Sequence, residues 1–168
     1  MSLRWQAACG VACLVLACVA LVSLALGNND ALEGELPAEM GTWDAVQTLY
    51  VYQHARLSGT IPAELGDMAS LLNLRMYSNL RLAGSLPASV GQLQALTYLQ
   101  LSDQPVMSGE LPMSLFSLIS LRRLVFGRTF VPGGHIDDAL GSICNNLRND
   151  LRVGGVHRGD SFFSVCVQ

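Results

Sequence analysis

The sequence predicts a solenoid, a stack of repeated units that share one apolar core and pair short strands in parallel along one wall. Three observations predict it. Glycines recur at Gly34, Gly59, Gly84, Gly109 and Gly134, always at the same interval of twenty-five positions. Prolines keep the same step at Pro37, Pro62, Pro87 and Pro112, with Asp137 in the fifth slot. Apolar residues follow in phase: Val46, Leu49 and Val51, then Leu71, Leu74 and Met76, then Leu96, Leu99 and Leu101, then Leu121, Leu124 and Phe126. A fixed period of this length is the mark of a repeat architecture, in which one unit cannot bury its own apolar face and about three are needed for a shared core.

The chain begins with an apolar run. From Ala7 to Leu26 only Ser23 is polar, and Arg4 precedes the run. A membrane helix needs about 20 such residues, whereas the apolar part of a secretory signal spans roughly 7–15. Both readings stand: a signal peptide cut before Asn28, where Ala25-Leu26-Gly27 offers small residues, or an uncleaved anchor that holds residues 5–26 in a membrane. In either case Arg4 stays on the cytoplasmic side and the acidic residues Asp30, Glu33, Glu35 and Glu39 cross over, so the remainder enters the secretory lumen.

Residues 28–141 carry the repeats, four full units and a degenerate fifth. Each unit reads LxxLxL, a loop, then LxGxLPxxxGxL. The alternation in LxL marks a short strand with one buried face. Gly and Pro after it mark turns and an irregular outer segment. The second glycine of the unit recurs at Gly41, Gly66, Gly91 and Gly141, with Phe116 in the fourth place. Stacked strands of this kind pair in parallel at about 4.8 Å. In the fifth unit Leu151 and Val153 stand two positions late. Residues 142–168 read as a carboxyl-terminal cap, with Phe162 and Phe163 as its apolar part. Residues 28–33 are too few to cover the first unit, whose edge at Trp43 and Val46 is expected to be open to a membrane, a partner or another copy.

The phrase LSGTIPAELG, residues 57–66, resembles the plant-type leucine-rich repeat, whose pattern is LxxLxxLxLxxNxLxGxIPxxLGx. The resemblance covers residues 32–141 and recurs four times in phase. Similar repeats occur in receptor-kinase ectodomains, polygalacturonase-inhibitor-like proteins and protist surface antigens. The resemblance implies a right-handed solenoid of the α/β type, with a parallel β-sheet on the concave side and 3₁₀ or short strand segments on the convex side. It also implies recognition of a protein or peptide. Three features depart from the pattern. The unit is one position longer than the plant-type repeat. The asparagine that bonds successive loops is kept only at Asn79, with His54, Gln104 and Thr129 in the matching slots. A cysteine-rich amino-terminal cap is missing. Trp43 occupies the slot that Met68, Leu93 and Leu118 hold in later units, and so belongs in the core.

The residues that flank the buried leucines form four outward columns: Thr48, Asn73, Tyr98, Arg123; Tyr50, Arg75, Gln100, Val125; Tyr52, Tyr77, Ser102, Gly127; and Gln53, Ser78, Asp103, Arg128. All four tyrosines of the chain are in these columns. Tyr52 should lie beside Tyr77, Tyr50 beside Arg75, and Tyr98 beside Arg123. Tyr50, Tyr52, Arg75, Tyr77, Tyr98, Gln100 and Arg123 are therefore the candidate ligand-binding residues, since tyrosine and arginine combine contact area with a polar tip. The same cross-strand pairs would also stabilise a sheet with no ligand. The expected partner is a protein or peptide. A glycan stacked on tyrosine is a second option, and a self-assembling coat protein or a truncated member of a receptor family are alternatives to a recognition module.

Other chemistry finds little support. Cys144 and Cys166 remain outside the apolar run. Within the secretory pathway they form either a disulfide, worth about 3 kcal/mol for a loop of roughly 22 residues, or two buried thiols. His54 sits in the asparagine slot, and His135 with Asp137 and Asp138 reads as a solvated turn. No nucleophile elbow, phosphate loop or zinc-protease motif is present, so no catalytic residue, metal or cofactor is expected. The formal net charge is −3 and the chain has no lysine, which argues against nucleic acid as a partner.

Overall fold

In the computed structural model the described residues are 3–4, 21–109, 111–125 and 152–154, and side chains are not described at 3–4, 116 and 152–154. The main sheet has six parallel strands: β2 (Ser23–Gly27), β4 (Thr48–Tyr52), β6 (Asn73–Tyr77), β8 (Tyr98–Ser102), β10 (Arg123–Val125) and β11 (Arg152–Gly154), neighbours in that order. From β2 to β10 the register is the sequence period itself: Leu24, Leu49, Leu74, Leu99 and Leu124 lie side by side, each one full period from the last. The chain is a leucine-rich-repeat solenoid.

The alternation predicted in LxL is real. Leu49, Val51, Leu74, Met76 and Leu99 have no exposed surface, while Thr48, Tyr50 and Tyr52 are half-buried. Trp43 is in the core at 2% exposure. On the opposite side lie four stacked 3₁₀ segments, Ala38–Thr42, Ala63–Asp67, Ala88–Gln92 and Met113–Ser117. Each begins after a proline held extended, at Pro37, Pro62, Pro87 and Pro112. The ring presets φ near the value these turns need, and the missing N–H is one the turn would leave unused. Gly66 shows why the second glycine recurs. A Cβ there would run into the carbonyl oxygen of Ser89 in the next segment, so only a bare Cα lets the segments stack this closely. Short outer strands complete the wrap: β1 (Leu3–Arg4), β3 (Leu32–Glu35) and β5 (Arg56–Ser58) in one sheet, β7 (Ala83–Gly84) and β9 (Val106–Met107) in another.

Three expectations need correction. The stack does not open at Trp43 and Val46. Strand β2 pairs with β4 over its full length, from Ser23↔Thr48 to Gly27↔Tyr52, and Val46 has no exposed surface. Leu21, Leu24 and Leu26 repeat the spacing of Val46, Leu49 and Val51 one step earlier, and Leu21 and Leu24 pack against the core. The described members of the fourth outward column are not part of the wall either. Gln53, Ser78 and Asp103 take left-handed backbone, at φ 57°, 57° and 52°, and turn the chain out of the strand. At the far end Val153, not Leu151, stands opposite Leu124. That last step overshoots the period by four positions rather than two.

The slot of the asparagine ladder is buried at three successive rungs, since His54, Asn79 and Gln104 all have no exposed surface. Asn79 Nδ2 donates to the carbonyl of Val51 at 2.9 Å. The His54 ring lies with Nδ1 3.0 Å from the Asn29 carbonyl and Nε2 3.3 Å from that of Leu26. Gln104 does not continue the ladder: neither of its amide atoms has a partner among the described residues. Most of the fifth unit, Thr129, His135 and the Cys144–Cys166 pair lie outside the described residues.

Candidate functional site

The wall is built by alternation. In a strand where every second side chain enters the core, the others must stand on the opposite face, so β4, β6, β8 and β10 present Thr48, Tyr50, Tyr52, Asn73, Arg75, Tyr77, Tyr98, Gln100 and Arg123 together. All seven candidate residues are on this face and form one connected array. Tyr52 and Tyr77 stack, with ring centroids 4.9 Å apart and planes 11° from parallel. The Arg75 guanidinium lies 5.0 Å from the Tyr50 ring, 5.2 Å from Tyr98 and 5.9 Å from Tyr77. Arg123 approaches Tyr98 at 4.8 Å from the next strand, so Tyr98 is flanked by a cation on each side. Such contacts each contribute about 0.5–1 kcal/mol where exposed.

Hydrogen bonds fix the centre of this array. Arg75 Nε donates to Gln100 Oε1 at 2.9 Å, and the Tyr98 hydroxyl donates to the same oxygen at 3.1 Å. Gln100 Nε2 in turn donates to Ser102 Oγ at 3.0 Å. One glutamine amide thus holds three side chains, and both of its ends are used. Desolvation raises the pKa of the Tyr77 hydroxyl above its ordinary 10.0, against the opposing pull of Arg75.

The pairs Tyr52–Tyr77, Tyr50–Arg75 and Tyr98–Arg123 follow from the sequence period alone. Ser102, which the period places in the third outward column but which is not among the seven candidates, anchors Gln100. One participant escaped the period altogether: Gly27 underlies Tyr52, and a Cβ on Gly27 would collide with the Tyr52 ring. Tyr52 is thus held between the Gly27 backbone on one side and the Tyr77 ring on the other. The diagonal reach of Arg75 to Tyr98 was also invisible in columns read straight across. Among the described residues no group of three or more His, Cys, Asp or Glu side chains is placed to hold a metal ion.

Solved structures with this architecture are numerous. PEPR1 in complex with AtPEP1 aligns over 84% of this chain at 27% identity, with a TM-score of 0.71. The ectodomain of the plant membrane receptor kinase GASSHO1/SCHENGEN3 from Arabidopsis thaliana, in complex with CASPARIAN STRIP INTEGRITY FACTOR 2, aligns over 68% at 33% identity, with a TM-score of 0.62. The chain is built like these plant leucine-rich-repeat ectodomains. A plant ice-binding protein is similar too, over 81% of this chain and 42% of its own, at 28% identity and a TM-score of 0.69. The leucine-rich-repeat chain spans only 18% and 13% of the first two. No protein-family model and no curated protein matches it.

Proposed function

We propose that this protein is a recognition module of the secretory pathway, secreted or held at the cell surface, whose concave wall binds a protein or peptide segment. One observation carries the reading. Every tyrosine of the chain, with Arg75 and Arg123, is gathered on a single exposed face and cross-braced there, while the core is filled almost entirely by aliphatic residues. The braces hold the side chains in place before a partner arrives, which reduces the ordering cost of binding. Similar solenoids found with peptide hormones support the class of partner.

The wall favours a peptide over a glycan. A sugar needs a free aromatic face, but Tyr52 is covered by Gly27 and Tyr77, Tyr98 lies between two guanidinium groups, and Tyr50 and Tyr77 each have one face taken, by Arg75 and by Tyr52. Ring edges, hydroxyls and the exposed Arg123 remain, and these suit backbone carbonyls and carboxylates. The edge at Trp43 and Val46 is covered by β2, so end-to-end assembly into a coat, the alternative reading, would have to use β2 itself, the last strand of the sheet on that side.

The test is a selection. The full chain is presented to a random library of extended peptides, beside a Tyr77→Ala/Arg123→Glu variant whose far-ultraviolet circular dichroism matches wild type. Enrichment of a peptide class by wild type, lost in the variant, is expected. Equal enrichment by both chains would remove the concave wall as the site.

A further inference from the structure

By composition, the apolar stretch that precedes Asn28 reads as leader up to Gly27. The structure assigns its last seven residues, Leu21–Gly27, to the folded domain: we infer that they are the first rung of the mature solenoid and that any leader ends upstream of Leu21. This inference does not depend on what the wall binds.

Four observations carry it. First, β2 pairs with β4 at five consecutive positions in the register of the repeat. Second, the backbone bonding between rungs is the same at this step as at the next three, up to β10. The carbonyl of Val22 accepts from Gln47 N and Thr48 N at 2.8 and 3.1 Å, as that of Gln47 does from Leu72 and Asn73, and that of Leu72 from Thr97 and Tyr98. Third, Asn28 takes left-handed backbone, φ 53°, in the slot of Gln53, Ser78 and Asp103, and its N–H reaches the Tyr52 carbonyl at 3.2 Å. Fourth, the buried His54 places Nε2 against the Leu26 carbonyl.

Gly27 decides between the two readings. A signal peptidase wants a small residue before the cut, and Gly27 meets that need. In the fold a Cβ there would meet the end of the Tyr52 ring and push it from its place on Tyr77. Cleavage after Gly27 would remove β2, leave the N–H groups of Gln47 and Thr48 without the Val22 carbonyl, and take away the floor of the Tyr52–Tyr77 stack. Moving the cut upstream also resolves the length of the apolar run. The stretch from Ala7 to Ala20 falls within the roughly 7–15 residues of a signal's apolar segment. Cys18 and Ala20 then supply small residues at the third and first places before Leu21. The two paired residues of β1, Leu3 and Arg4, would leave with such a leader, whereas the sheet of the wall would keep every strand.

The full reading frame is expressed in a secretory eukaryotic host, and the protein from medium and membranes is read by amino-terminal sequencing and intact mass. A start at Leu21 or upstream is expected. A start at Asn28, or anywhere downstream of Leu21, overturns the inference. Gly27→Ala supplies an independent arm, since alanine satisfies a peptidase but its Cβ still enters the Tyr52 ring. The expected result is an unchanged processing site, a melting temperature lower by several degrees and an altered near-ultraviolet tyrosine signal. A variant indistinguishable from wild type in melting and tyrosine signal overturns it as well.

Discussion

The two faces of the same strands obey opposite rules. Along the interior column Leu24, Leu49, Leu74, Leu99 and Leu124 are one residue type repeated at a constant step. Along the outward column beside it, Thr48, Asn73, Tyr98 and Arg123 share nothing but their spacing. Both columns hang on one backbone, so the difference is one of environment. Inside, each leucine meets the same neighbours above and below, and close packing holds this column to one residue and the columns beside it, such as Val51, Met76 and Leu101, to apolar ones. Outside, a side chain has only to reach across about 4.8 Å to its strand neighbour, and many types do so. The lesson is that repetition here belongs to the core and the individuality of the molecule to its wall.

The contrast can be broken most forcefully from within. Leu74→Ala removes a side chain with no exposed surface at the centre of the stack and is expected to cost about 2–5 kcal/mol, read from the midpoint of a urea titration. Loss under about 1 kcal/mol would mean the rung relaxes freely and the interior is not the rigid part. Gly66→Ala attacks the stacking of the outer segments, where the new Cβ meets the Ser89 carbonyl oxygen. Overpacking of this kind costs about 1–3 kcal/mol, and a melting curve unchanged from wild type would show that the 3₁₀ segments slide apart without penalty. The smallest effect should come from the wall. Burial raises the pKa of Tyr77, so the protonated phenol is favoured by folding. That contribution is complete below pH about 10, the unfolded value, and fades as pH climbs through the folded one. Ultraviolet titration of phenolate in Tyr77→Phe against wild type should therefore reveal one late-ionising tyrosine; a normal titration would make the wall as well solvated as a loop.

Much of this was legible beforehand. The LxL alternation placed the core leucines, and counting outward from them placed the seven wall residues and their straight pairs. What was not legible has physical causes. The rung at Leu21–Gly27 was hidden because LVSLAL satisfies a membrane, a signal and a buried strand equally, and hydrophobicity alone does not separate them. The turn residues Asn28, Gln53, Ser78 and Asp103 share a left-handed conformation but no single residue type. The centrality of Arg75 rests on diagonal contacts that a long side chain makes, and Gln104 shows that a residue able to bond in the ladder slot need not do so.

The shared bifurcated carbonyls at Val22, Gln47, Leu72 and Thr97 make each rung's junction chemically interchangeable with the next. A duplicated block of one full period, spliced at any of these junctions, would meet the same donors on both cut faces. Such a protein can grow, shrink or shuffle its display by recombination without renegotiating its interior.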